Sequence, residues 1–430
     1  MTTEIKLLKS AFTLPSGVSV KNRLFKSAMS EGLGSWDNRM TPELVNLYAR
    51  WAQSGVGILV TGNVMVDKRH LGEPGNLAVE DEKDLPLLRA WARMGTQNDT
   101  QLWMQLNHPG KQVLRTLVKD PVGPSAIPFS PELRSVFATP RALTEAEIED
   151  IIQRFGRSAA IAKKAGFTGV QIHGAHGYLV SQFLSGHHNQ RTDKWGGSPE
   201  NRRRFVLAVY EAIRSQVGED FPVGIKLNSA DFQRGGFTEE ESLDVIRALS
   251  EAGIDLIEIS GGTYEAPAMA GKSYSERAST REREAYFLEF AEKAREATAT
   301  PLVVTGGFRT PWGMEEALAT GAVDFVGLAR LLAIEPEAPQ RLLAGKPSRY
   351  QGKPISTGIK PVDEAAMLEV MWYGRQLRHK SSAADCVRGR LGHSENAVKS
   401  LIFFRALCVV ITALTSKVHA VHCLTMVVLK

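Results

Sequence analysis

Short apolar runs and amphipathic stretches alternate along most of this 430-residue chain. The runs fall at 24–28, 57–61, 101–106, 169–172, 222–227, 255–259, 302–305 and 324–327. Each reads as a continuous rather than an alternating run, as expected of a strand covered on both faces. Between them, helical periodicity predicts helices at about 42–54, 85–97, 145–165, 199–217, 239–252, 285–298 and 312–320. The helix starts carry their own chemistry. Thr144 with Glu147, and Thr238 with Glu241, have capping-box spacing, while Ser198-Pro199 and Thr310-Pro311 place a hydroxyl before a first-turn proline. Gly55, Gly166, Gly253 and Gly321 stand where left-handed helix caps are needed before the next strand. A small hairpin turning at Pro15-Ser16-Gly17 precedes the first run. Eight strands alternating with helices predict an α/β fold, a closed (β/α)8 TIM barrel with a short N-terminal hairpin and an atypical C-terminal tail. No Gly-x-Gly-x-x-Gly follows the first strand, so an open dinucleotide-binding sheet loses its main support.

Charge and cysteine change this picture only at the end of the chain. The formal charge is +5, but 381–430 alone carry six Lys/Arg against two Asp/Glu, so the body is nearly neutral and has no nucleic-acid footprint. All three cysteines (Cys386, Cys408, Cys423) lie in that tail, which excludes disulfides, cysteine metal sites and a cysteine nucleophile from the body. A domain boundary is therefore expected near 380. It separates a barrel at 1–380 from a tail at 381–430 that is expected to be a misread gene segment, a disordered appendage or a peripheral anchor. The run 401–414 is too short, and too interrupted by Arg405, to span a bilayer. With no basic-then-apolar leader at Met1, a cytoplasmic location is expected.

In such barrels chemistry belongs at the C-terminal ends of the strands. Read at those positions only, the sequence offers Ala28-Met29-Ser30, Gly62-Asn63, Gln105 with Asn107 and His108, His173 with His176 and Tyr178, Lys226 with Asn228, Ser260-Gly261-Gly262, Thr305-Gly306-Gly307, and Gly327-Leu328-Ala329-Arg330. Glycine-bearing turns with a cation after the last two strands suit a phosphate, although two ordinary turns with surface arginines would look the same. The Gln105 amide suits the edge of a heterocycle such as a flavin pyrimidine or a nicotinamide. Lys226 could stabilise a developing anion, or could sit in a barrel-interior salt bridge. His173 and His176 could hold a carbonyl oxygen, ligate a metal, or staple loops, and Tyr178 could deliver a proton. His108, His187, His188 and Asp231 are the nearest further candidates for metal ligands. Acidic residues are scarce at these strand ends, so no metal site is expected. The proline-rich loop 107–143 reads as a lid or substrate wall.

Several segments together resemble the Old Yellow Enzyme family of FMN-dependent NADH:flavin oxidoreductases, in its bacterial-type and fungal branch. They are His173-Gly-Ala-His-Gly-Tyr-Leu179, Gln182-Phe-Leu-Ser185, Asn189-Gln-Arg-Thr-Asp193, Gly196-Gly-Ser-Pro-Glu-Asn-Arg202, Gln105-Leu-Asn-His-Pro-Gly-Lys-Gln112, Gly327-Leu-Ala-Arg330 and Lys21-Asn-Arg23. The similarity runs from about Leu8 to about Arg378.

The resemblance implies FMN at the barrel mouth, lined by Ala28, Met29, Ser30, Gly62 and Gln105, with Lys226 beside the pyrimidine and Gly307, Ala329 and Arg330 on the phosphate. Lys226 stands where most members have arginine, and Ala28 where many have proline. It further implies NADH or NADPH as reductant and an electron-poor alkene as small-molecule substrate. The substrate carbonyl would be held by His173 and His176 and its α-carbon protonated by Tyr178. Without cysteines in the body, an iron–sulfur cluster is not expected, whereas a homo-oligomer is allowed. A metal-dependent hydrolase and a non-catalytic flavin-binding barrel are the alternatives. The segment 264–279 is expected to help the lid set substrate choice.

Overall fold

A computed structural model describes residues 4–131, 133–263, 265, 287–350 and 366–382. The tail at 383–430 and nearly all of the expected substrate segment 264–279 lie outside the described residues. The hairpin forms as expected, β1 (Phe12–Thr13) against β2 (Ser19–Val20). The barrel strands follow: β3 (Leu24–Lys26), β4 (Ile58–Met65), β6 (Gln101–Asn107), β9 (Gly169–Gly174), β10 (Val223–Asn228), β11 (Leu256–Ser260), β12 (Leu302–Thr305) and β13 (Phe325–Leu328). They pair in parallel in that order, and β3 bonds both β4 and β13, so the ring is closed.

Helices cover the outside: α1 (Pro42–Gln53), α2 (Leu85–Gly95), α3 (Glu145–Ala165), α5 (Pro199–Val217), α6 (Glu239–Glu251), α7 (Leu288–Ala297) and α8 (Pro311–Ala319). The expected caps are present. Thr144 and Thr238 complete both halves of their capping boxes, and Ser198 and Thr310 accept from the third N–H of their helices. Gly166 closes α3 at φ 94°.

Among the described residues, several elements go beyond the expected pattern. Strand β5 (Leu77–Ala78) adds to the mouth end of β4, and β7 (Val122–Gly123) pairs with β8 (Arg141–Ala142) inside the loop 107–143. The short helix α4 (Leu179–Leu184) is buried all round, so it has no amphipathic stripe to reveal it. After the last strand come α9 (Arg330–Ile334), α10 (Ala338–Leu343) and α11 (Ala366–Ser381).

Packing forms two layers. Phe25, Ile58, Val60, Trp103, Leu256, Val303 and Phe325 make one buried cluster together with Leu14 and Val20 of the hairpin. A larger cluster lies between sheet and helices, where Tyr48, Trp51 and Trp91 meet edge to face. No helix among the described residues is long and apolar enough to cross a membrane.

The N-terminal segment is tied to the barrel through one carboxylate. Glu315 of α8 accepts the backbone N–H groups of Lys6, Leu7 and Leu8 at 2.7–2.9 Å. Glu315→Ala would leave three buried or half-buried donors unpaired, so it should cost about 3 kcal/mol in denaturant unfolding, with Glu315→Gln intermediate. A loss below about 0.5 kcal/mol would show that the segment is not held this way.

Candidate active site at the barrel mouth

Strand register places the chemistry. Gln105 lies opposite Gln171, His173 opposite Lys226, and Lys226 opposite Glu258. All five side chains are buried. Gln105 Nε2 donates to Gln171 Oε1 at 2.8 Å, and Gln171 Nε2 donates to Glu258 Oε2 at 2.9 Å. Glu258 Oε1 meets Lys226 Nζ at 3.1 Å and accepts from Thr305 Oγ1 at 2.9 Å, and Thr305 in turn bonds Ser27 Oγ at 2.6 Å. Lys226 is therefore in a barrel-interior salt bridge, one of its two readings from sequence. Gln171, Glu258 and Ser27 are partners that the strand-end reading overlooked, while Thr305 was among its positions but not as a partner of Glu258.

The histidine pair stands at the exit of β9. Its rings are 5.3 Å apart between centroids, and the Tyr178 ring lies 4.7 Å from that of His173. His173 Nδ1 accepts weakly from the Ala175 N–H at 3.4 Å, which leaves the ring proton on Nε2. His176 has φ 62°, uncommon for a non-glycine residue and held here by a hydrogen bond from its N–H to Asn228 and a bridge to Thr263. Its Nε2 lies 2.7 Å from Ser260 Oγ at the end of β11. Burial, reinforced by the positive charge of Lys226, drives both imidazoles well below their ordinary pKa, with His176 adding to the effect on His173. They are neutral hydrogen-bonding groups.

Two further clusters face the same space. The pairing of Thr305 with Gly327 brings the last two strand-end turns abreast. Gly306 and Gly307 have φ of 112° and 90°, and successive glycines of this kind present backbone N–H groups to an anion. Ala329 and Arg330 open α9 next to them. On the other side Ala28, Met29 and Ser30 are half-buried after β3, and a Cβ on Gly62 would lie 2.7 Å from the Met29 carbonyl oxygen. Ser30 is engaged by Glu73, whose carboxyl is pushed up by burial against the hydrogen bonds from Ser30 and Asn76.

This donor set fits FMN. The Gln105 carbonyl oxygen and the Lys226 ammonium answer the N–H and carbonyl edge of a pyrimidine, and a glycine turn with a cation answers a phosphate.

Metal-ligating atoms gather elsewhere. Among the described residues the groups lying within 4.8 Å are Asp67 with His70 and His108, and His187 with His188 and Glu265. Neither includes His173 or His176. In the first group, His108 Nδ1 accepts the Gly110 N–H at 3.1 Å, so Nε2 carries the proton and has no lone pair to offer. Asp67 is committed to Arg69, whose hydrogen bonds overcome burial and hold the carboxyl at about 2.

The histidine environment gives a checkable pH dependence. Because the folded-state pKa of His173 and His176 lies below the unfolded value of about 6.5, the stability linked to them is present above that pH and lost as pH falls through it. Their ring resonances should stay unshifted from pH 8 to 6 in an NMR titration. Midpoints near 6.5 would refute the buried, neutral assignment.

Residues 12–349 match the model of the NADH:flavin oxidoreductase / NADH oxidase family. A similar protein, the NADH-dependent flavin oxidoreductase iliE of Hypocrea jecorina, is 38% identical over 355 residues, covering 77% of this chain and 87% of that protein. The fold is close to that of 2-naphthoyl-CoA reductase in its 2-naphthoyl-CoA complex. The TM-score is 0.75 at 26% identity, over 87% of this chain and 58% of that one. It is also close to an old yellow enzyme homologue from Zymomonas mobilis, at TM-score 0.69 and 22% identity over 81% of this chain and 95% of that one. A barrel closed by eight parallel strands, a mouth whose donors fit FMN and a family match across most of the chain lead to one assignment. The chain belongs to the NADH:flavin oxidoreductase / NADH oxidase family, with FMN as cofactor and a nicotinamide dinucleotide as reductant.

Proposed function

We propose that this oxidoreductase reduces the carbon–carbon double bond of electron-poor alkenes such as enones. The observation that carries the reading is the neutral His173, with its proton on Nε2, beside His176, Tyr178 and the Lys226 cation at one strand end. An enone carbonyl gains negative charge as its β-carbon accepts hydride, and buried donors already held in place beside that oxygen would stabilise the change. Bound FMN, once reduced by NADH or NADPH, supplies the hydride.

Tyr178 then gives its proton to the α-carbon, and the tyrosinate is reprotonated from solvent, so the alkene gains one hydride and one proton. Ser260 supports this arrangement through its contact with His176 Nε2, which orients the ring. The loop 107–143 walls the site from water. It is fastened at Glu265, which accepts the Ser130 N–H at 2.7 Å and lies 3.7 Å from Lys111 Nζ. Burial lowers the Lys111 ammonium to about 8 despite Glu265, so this fastening is an ion pair at neutral pH.

Gly307, Ala329 and Arg330 would hold the phosphate, while Ala28, Met29, Ser30, Gly62, Gln105 and Lys226 would surround the ring. A small molecule is the only partner this reading requires. Tyr178→Phe should leave FMN reduction by NADPH within about twofold of the wild type. It should slow the reoxidation of reduced flavin by an enone by about 10²–10⁴-fold, the range for a lost general acid. Loss of the first half-reaction in stopped-flow absorbance would overturn the role given to Tyr178.

A further inference from the structure

Lys26 ends β3 and its side chain is completely buried, yet it does not join the Glu258 network inside the barrel. It lies against α1, with Nζ 4.4 Å from the Trp51 ring centroid and 5.3 Å from that of Tyr48. Its hydrogen bonds go to the Val60 carbonyl at 2.8 Å and the Ser27 carbonyl at 3.3 Å. The opposing charge is Glu31, buried and 3.9 Å away. Glu31 Oε1 takes a short hydrogen bond from the Tyr48 hydroxyl, which in turn accepts the Gly62 N–H at 3.1 Å. A Cβ on Gly62 would lie 2.9 Å from Glu31 Oε2, so the carboxylate is packed directly on that backbone. One chain of contacts thus runs from Lys26 through Glu31 and Tyr48 to Gly62, and both Gly62 and the segment 28–30 border the mouth.

Stability gives a poor account of this arrangement. A dehydrated ion pair is commonly no better than a well-packed apolar pair of the same volume. The pair's position suggests another role. The charges of Lys226 and Glu258 reach Lys26, whose pKa burial and Lys226 hold down to about 8 against the pull of Glu31 and Glu258. It is therefore charged at neutral pH and within electrostatic reach of the cation that faces the pyrimidine position.

We propose that Lys26 and Glu31 are positioning residues for the flavin, fixing the Gly62 edge of its site through Tyr48 and setting its reduction potential by their opposed charges. This rests on the placement of FMN at the barrel mouth. Reduction adds negative charge to the flavin, so a nearby buried cation favours the reduced form and a nearby carboxylate opposes it.

The test is spectroelectrochemical titration of the FMN-loaded protein in wild type, Lys26→Met, Glu31→Gln and the double variant. Lys26→Met should shift the oxidised-to-reduced ratio about tenfold toward oxidised, or roughly 30 mV more negative for a two-electron couple. Glu31→Gln should move the potential the opposite way, and the double variant should return close to wild type. Opposite signs cannot arise from general loosening of the site. Shifts of the same sign, or flavin bound with unchanged potential, would overturn the proposal. If Lys26→Met does not fold, Glu31→Gln and the double variant decide by the same signs. A wild-type chain that takes up no FMN would instead sink the placement of the flavin, and this inference with it.

Discussion

A carboxylate in the interior of a closed barrel cannot be hydrated, so its own strands must satisfy it. Glu258 is that group here, and much of the mouth follows from the requirement. Lys226 comes from β10, Gln171 from β9 and Thr305 from β12, each within 3.1 Å of a Glu258 oxygen. Leaving any one unmade would strand charge or a donor in a low-dielectric site, which is costly enough to hold the set in a single arrangement. Since Gln171 is turned toward Glu258, its carbonyl is turned toward Gln105, and the orientation of that amide is fixed in turn. The apolar cluster of Phe25, Val60, Trp103 and Phe325 gives this polar layer a floor.

The outer face carries a second buried charge pair, and the two are not independent. Lys26 and Lys226 repel one another, while each has its own carboxylate. Two cations thus lie on adjoining surfaces of the barrel, each set against a buried carboxylate rather than exposed as a basic patch. Burial first, and the Lys226 charge with it, keep His173 and His176 neutral. A neutral imidazole donates one hydrogen bond without paying for a second charge in the same pocket, which suits an oxygen that becomes anionic only in passing.

The barrel was legible from sequence because parallel strands are apolar on both faces and their helices are capped by side chains of recognisable type. Thr144, Ser198, Thr238 and Thr310 all stand where helices begin. The strand end proposed to be catalytic stood out for a different reason: it gathers two imidazoles and a phenol within six residues at the end of a barrel strand, where barrels place their chemistry. What escaped were elements defined only by tertiary packing. Helix α4 is buried on every side, and β5, β7 and β8 are two residues long, too short for any period to show. Glu258 also escaped, although a charge within Leu-Ile-Glu-Ile-Ser is itself a clue that a buried partner exists. Ser260 stood among the strand-end positions but its partner His176, 84 positions away, could not be read, and Tyr48 escaped because its role depends on a residue 14 positions away.

Lysine at position 226 follows the same logic. An arginine there could meet Glu258 with its planar fork and would then have both parallel N–H groups spent on one carboxylate. Lys226 reaches Glu258 with one contact and keeps two ammonium hydrogens for the mouth. On the proposed placement of FMN it would neutralise the interior carboxylate and face the cofactor at once. The charge offered to the flavin is then a shared one, weakened by Glu258 and compact rather than delocalised. That places more of the electrostatic work on groups outside the barrel interior, and Lys26 is the buried cation positioned to take it up.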